Sequence, residues 1–99
     1  MTTPPAEIDL GRAAIQSALT ALREGRSTGN AALDQVADTL GRRWARAWGH
    51  LRNACPNVAE AEIDLAADRI VDVIASMPAM VLRLVADDAA ACAAAGGAS

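Results

Sequence analysis

Arg42, Arg43, Arg46 and Arg52 fall within eleven positions and are the densest concentration of chemically capable side chains in the chain. On a helix, Arg42, Arg43 and Arg46 share one sector, from which guanidinium groups can take phosphates or a partner's carboxylates in bidentate fashion. The same groups can instead serve solubility, pairing with Asp38 or with the acidic segment that follows. Nucleic acid is the less favoured target, because no helix-turn-helix spacing or exposed aromatic platform accompanies the arginines. Glu60, Asp64 and Asp68 form a second set at i, i+4 spacing. Like charges at that spacing repel mildly, so the row reads as a solvated face unless a cation or basic partner meets it.

Catalysis is not expected. One histidine, no tyrosine, no lysine and few hydroxyl side chains leave no convincing nucleophile, base and orienting group. His50 and Cys55 straddle an expected helix end and match no zinc pattern, so no metal or cofactor is expected and His50 reads as an exposed helical residue. Gly25-Arg26-Ser27-Thr28-Gly29-Asn30 lacks the lysine and flanking strand of a phosphate loop and reads as a turn.

The element that must position the arginines runs from Asn30 to Ala54 and also carries both tryptophans. Leu33, Val36, Leu40, Trp44, Ala47, Trp48 and Leu51 recur at steps of three and four, which places them on one helical stripe about 120° wide. A fully helical segment of this length reaches roughly 37 Å, long enough to act as the rod of a small bundle. Asn30 is the expected N-cap, with Asp34 and Asp38 in the early turns where the helix dipole favours negative charge. Gly41 and Gly49 each cost about 1 kcal/mol against alanine and mark either a close crossing or an early end. Trp44 and Trp48 read first as core residues, and second as anchors of an interface.

A preceding helix is expected from about Pro5 to Glu24, with Thr3 as a possible cap and a stripe of Ile8, Gly11, Ile15, Ala18, Leu19 and Leu22. Gly25 suits the C′ position, and the short turn to Asn30 makes the two helices an antiparallel hairpin. Pro56 ends the second helix, and Asn57 with Glu60 resembles a capping box opening a third. Its expected inner face is Ile63, Ala66, Ala67, Ile70, Val73, Ile74 and Met77. Pro78 interrupts the helix, yet the stripe continues in phase through Val81, Leu84 and Val85, which favours a kink over a break. Met80 and Leu82 widen the apolar surface beyond one stripe, and the alanine-rich end from Ala89 is expected to fray.

The 99 residues allow one domain with a modest core, residues 1–4 and about 90–99 being flexible. Alanine abundance and the absence of Phe and Tyr leave that core short of volume, which points to burial against another chain. Charge is divided: residues 1–52 hold seven arginines against five acids, and residues 53–99 hold two against seven. That asymmetry suits one half packing on the other, or head-to-tail association. Cys55 and Cys92 read as reduced, mostly buried thiols of a cytoplasmic protein, since MTTPPAEIDL has neither the basic nor the apolar region of a signal peptide. No stretch has the roughly 18 uncharged apolar residues of a membrane span.

The stretch AEIDLAADRIVDVIASMPAMVLRLVADD, from Ala61 to Asp88, resembles the closing helices of the ligand-binding and dimerisation domains of TetR-type regulators. The resemblance covers under a third of the chain and implies two helices pairing across a dimer axis. It extends neither DNA binding nor an inducer pocket to this sequence.

The expected architecture is an all-α bundle of three to four helices, a helical hairpin followed by a proline-kinked or broken C-terminal helix. The expected role is a non-enzymatic interaction or oligomerisation module, an adaptor, inhibitor or assembly component. Its partner is a second copy or another protein, met through Arg42, Arg43, Arg46, Trp44, Trp48, Met77, Met80, Val81 and Leu84. The alternatives are a regulatory domain holding an apolar ligand between helices, or a weak nucleic-acid binder using the arginine sector.

Overall fold

The computed structural model describes residues 11–97, with side chains to residue 93. The expected Thr3 cap, the start at Pro5, the Ile8 stripe position and the flexible residues 1–4 lie outside that range. Within it the chain is an all-α bundle of four helices: α1 (Arg12–Glu24), α2 (Ala31–Ala54), α3 (Glu60–Ala75) and α4 (Pro78–Gly97).

Local chemistry sets most boundaries. Gly11 is extended (φ −68°, ψ 172°) and caps α1, so the helix does not run through it as the stripe implied. Glycine's cost in a helix interior explains why α1 begins only after it. At the far end Gly25 adopts φ 68°, the left-handed conformation, and its N–H bonds back to the carbonyls of Ala21 and Leu22. Asn30 caps α2 as expected, its Oδ1 accepting from the backbone N–H of Ala32 (2.9 Å) and Leu33 (3.2 Å). α3 begins later than a cap at Asn57 requires. Ala59 is its N-cap, and no side chain supplies the capping bond. Asn57 is instead part of the turn after Pro56, closed by Val58 N–H donating to Cys55 O at 3.2 Å.

Pro78 breaks the helix rather than kinking it. α3 closes through Ser76, and Pro78 occupies the first position of α4, where its missing donor would have had no partner. Val81 N–H then donates to Met77 O at 3.1 Å. α4 is helical through Gly97, past the point where fraying is expected, because the alanine run has the highest helix propensity available.

The core draws on all four helices: Ile15, Ala18 and Leu19 from α1, Val36, Ala37 and Leu40 from α2, Val71 and Ala75 from α3, and Val81 from α4. α2 is the central rod, packing against each of the other three helices. Only its first half is deeply covered. Leu33, Trp44, Ala47, Trp48 and Leu51 of the expected stripe are half-buried. Gly41 does not mark the expected close crossing, since a Cβ there would meet Leu22 Cδ1 at 3.4 Å, an ordinary van der Waals contact, and Gly49 faces open space and neither crosses nor ends the helix.

Candidate functional site

α2 and α3 are joined by a matched polar seam. Trp44 Nε1 donates to Asp68 Oδ1 at 2.8 Å, and Trp48 Nε1 donates to Asp64 Oδ1 at 2.7 Å. Both pairs have i, i+4 spacing, and because the higher-numbered tryptophan meets the lower-numbered aspartate, one antiparallel register satisfies both bonds. The aspartate row is therefore not merely a solvated face. Two of its carboxylates satisfy indole donors, and the next position of the row, Asp72, accepts from Arg23 of α1 at 2.9 Å. The equal spacing of two Trp and two Asp was the signal available in the sequence.

The arginine sector is partly consumed inside the fold. Arg43 Nη2 donates to Asp88 Oδ1 of α4 at 3.1 Å, and only 21% of the Arg43 side chain remains exposed. Arg42 Nη1 stands 3.7 Å from Asp88 Oδ2, near enough to attract but too far to hydrogen bond. That oxygen and Arg43 Nε are buried without a hydrogen-bond partner. Arg46 is exposed, and among the described residues it makes no ion pair. The three arginines thus do not form one outward-facing set.

The apolar half of the expected surface also divides. Val81 is wholly buried and belongs to the core, so it cannot meet a partner. Leu84 is half-buried, while Met77 and Met80 are exposed. The two tryptophans are half-buried at the α2–α3 seam rather than presented outward.

Other exposed apolar groups lie on α3 itself. Its inward row is Ile63, Ala67, Val71 and Ala75, four residues apart, all buried. Ile70 and Val73, expected on that face, are exposed, Val73 at 60%. Val73 lies two residues past Val71, about 200° around the helix, so it points away from the core. A second row, Ala66, Ile70 and Val73, runs on to Met77 just past the helix end, and Leu65 (57% exposed) stands separately, about 100° from Ala66. A shallow depression over Ala61, Leu65 and Ala66 is flanked by Glu62 and Arg69, one charge of each sign. Sequence periodicity merged the two rows because both are apolar, and steps of three and four connect one to the other.

Cys55 and Cys92 are both exposed, contrary to the expected burial. Cys55 sits at the end of α2, and Cys92 lies on a turn of α4 beyond the core. His50 is exposed, as its helical position implies. The α1–α2 connection is organised by Asp34, which accepts from Thr28 N (2.9 Å), Thr28 Oγ1 (2.8 Å) and Ser27 Oγ (2.9 Å). The Thr28 backbone bond, followed by the two hydroxyls, holds its carboxyl below the ordinary carboxylate range. No described helix is long and apolar enough to cross a membrane.

Compared with known protein families, with curated proteins and with solved structures, the chain matches none of them.

Proposed function

We propose that the chain is a non-enzymatic interaction module that associates with a second copy of itself through the outer face of α3 and the beginning of α4. One observation carries this reading: Ile70, Val73, Met77 and Met80 are exposed on successive turns from α3 into the start of α4, in a chain whose core contains no aromatic residue and many alanines. Exposed apolar groups gathered along one element mark interaction sites more often than singly scattered ones do, and methionine is enriched at such interfaces. The choice of a second copy rests on charge. Glu62 and Arg69 border the same face, and a surface bearing both signs can complement itself across a twofold axis.

The arginine sector plays a subordinate part in this reading. A phosphate or acidic partner at Arg42 and Arg43 would compete with Asp88, which leaves Arg46 and Arg52 as the more available cations. A mixed pool of DNA or RNA is therefore expected to show no strong salt-sensitive binding. The two exposed unpaired thiols suit a reducing, cytoplasmic setting.

Light scattering across a dilution series tests the proposal. Wild type is expected to be dimeric and to dissociate on dilution, and Val73→Asp is expected to be monomeric with an unchanged helical circular dichroism spectrum. A wild-type monomer at the highest attainable concentration would refute self-association.

A further inference from the structure

A half-open cavity of about 320 Å³ lies between α1, α2 and α3, on the side of α3 opposite its outer face. It opens to solvent on one side, and a water's share of liquid volume is about 30 Å³, so the space is roughly ten waters in size. It falls at the lower end of the volumes that hold small organic ligands. The nearly buried core residues Leu19 and Val71 form its floor, and the half-buried Leu22 and Trp44 form its walls. Gly41 also lines it, at a position where alanine would favour the helix by about 1 kcal/mol, and a side chain there would reach toward Leu22 and into the space.

The polar rim selects the ligand. Arg23 contributes one positive charge, but it is already paired with Asp72 at 2.9 Å. Asp68 contributes a negative charge; its Oδ1 receives the Trp44 indole and makes no ion pair among the described residues, which leaves the second oxygen available. Arg23 and Asp68 are the charged residues of the lining, and because Asp72, outside the lining, already neutralises Arg23, the Asp68 carboxylate is the uncompensated charge beside Trp44, a combination that attracts cations. We infer that the cavity is a binding site for a small apolar organic cation, an arylalkyl or alkyl ammonium. Its hydrocarbon part would lie between Leu22 and Trp44, and its ammonium group would meet Asp68 at the rim.

The test uses the full chain with Trp48→Phe, which leaves Trp44 as the sole tryptophan in a protein without tyrosine. Emission is followed during titration with 2-phenylethylammonium, 2-phenylethanol and 3-phenylpropionate, three probes of similar size and different charge. The ammonium is expected to give a saturable change at lower concentration than the other two, and Asp68→Asn, which keeps an oxygen for the Trp44 indole, is expected to weaken it about fivefold. Gly41→Met fills the cavity with a flexible helix former and removes no polar contact, so it remains informative if Asp68→Asn fails to fold. It is expected to abolish saturation. Equal responses to the three probes, the absence of saturation by the ammonium at millimolar concentrations, or an undiminished response in Gly41→Met would each overturn the inference.

Discussion

The inner and outer faces of α3 are nearly equal in apolar character and opposite in environment. Ile63, Ala67, Val71 and Ala75 are sealed against the bundle, whereas Ile70 and Val73 on the same helix meet solvent. Between the two faces runs the edge formed by Asp64, Asp68 and Asp72, whose partners are Trp48, Trp44 and Arg23. This difference shows that hydrophobicity alone does not orient the helix. Either apolar row could have faced inward, and the row adjoining the aspartates is the one that lets both indole donors reach an acceptor.

Two isoleucines offer the most direct way to break the comparison. Ile63→Ala is expected to cost about 2 to 4 kcal/mol in chemical denaturation, because it opens a cavity in packed surroundings. Ile70→Ala should cost under about 1 kcal/mol in the dissociated subunit, where the side chain is already partly solvated. Under the proposed self-association the two respond differently to protein concentration: the Ile63→Ala deficit persists on dilution, while any additional Ile70→Ala deficit disappears as the proposed dimer dissociates. Equal costs for both variants in dilute protein would contradict the assignment of inner and outer faces.

The aspartate edge gives the next largest effects. Asp68→Ala strands the partly buried Trp44 donor and is expected to destabilise the fold by about 1 to 2 kcal/mol. Asp64→Ala should cost less, since the Trp48 bond is exposed and water can replace the carboxylate. Comparing the denaturation midpoints of these variants measures how strongly the polar seam selects the inward row. Arg23→Ala should change stability by about 0 to 1 kcal/mol, because both members of its ion pair are roughly half exposed.

The smallest effect lies away from α3. The folded-state pKa of Asp34 is depressed, so its contribution is present above the unfolded-state value, near 3.8, and is lost as pH falls through the lower folded value. The protection factor of the Thr28 amide should fall across that acidic interval, and in Asp34→Asn it should be reduced without that pH dependence, with protection in α3 unaffected. Simultaneous loss of protection throughout α3 would mean that the α1–α2 connection is coupled to the core.

Much of the local architecture was legible in the residue order. The Asn30 cap, the Gly25 terminus and the α1–α2 hairpin follow from groups within a few positions of one another. The same local logic misplaced the start of α3, where the turn after Pro56 uses Asn57 before a cap can form. The candidate surface divides: Met77 and Met80 are exposed, Met77 despite its place on the expected inner face of the third helix, whereas Val81 is core and Arg43 is engaged with Asp88.

By itself, then, the sequence determined that the chain is helical and where most helices begin and end, because helical period, capping and proline geometry act over one or two turns. Tertiary structure decided which apolar row of α3 is buried, that Pro78 separates two helices, and which carboxylate each tryptophan or arginine meets. Those outcomes depend on register between segments some 16 to 49 residues apart, where several local patterns are nearly equivalent and simultaneous packing and hydrogen bonding select among them.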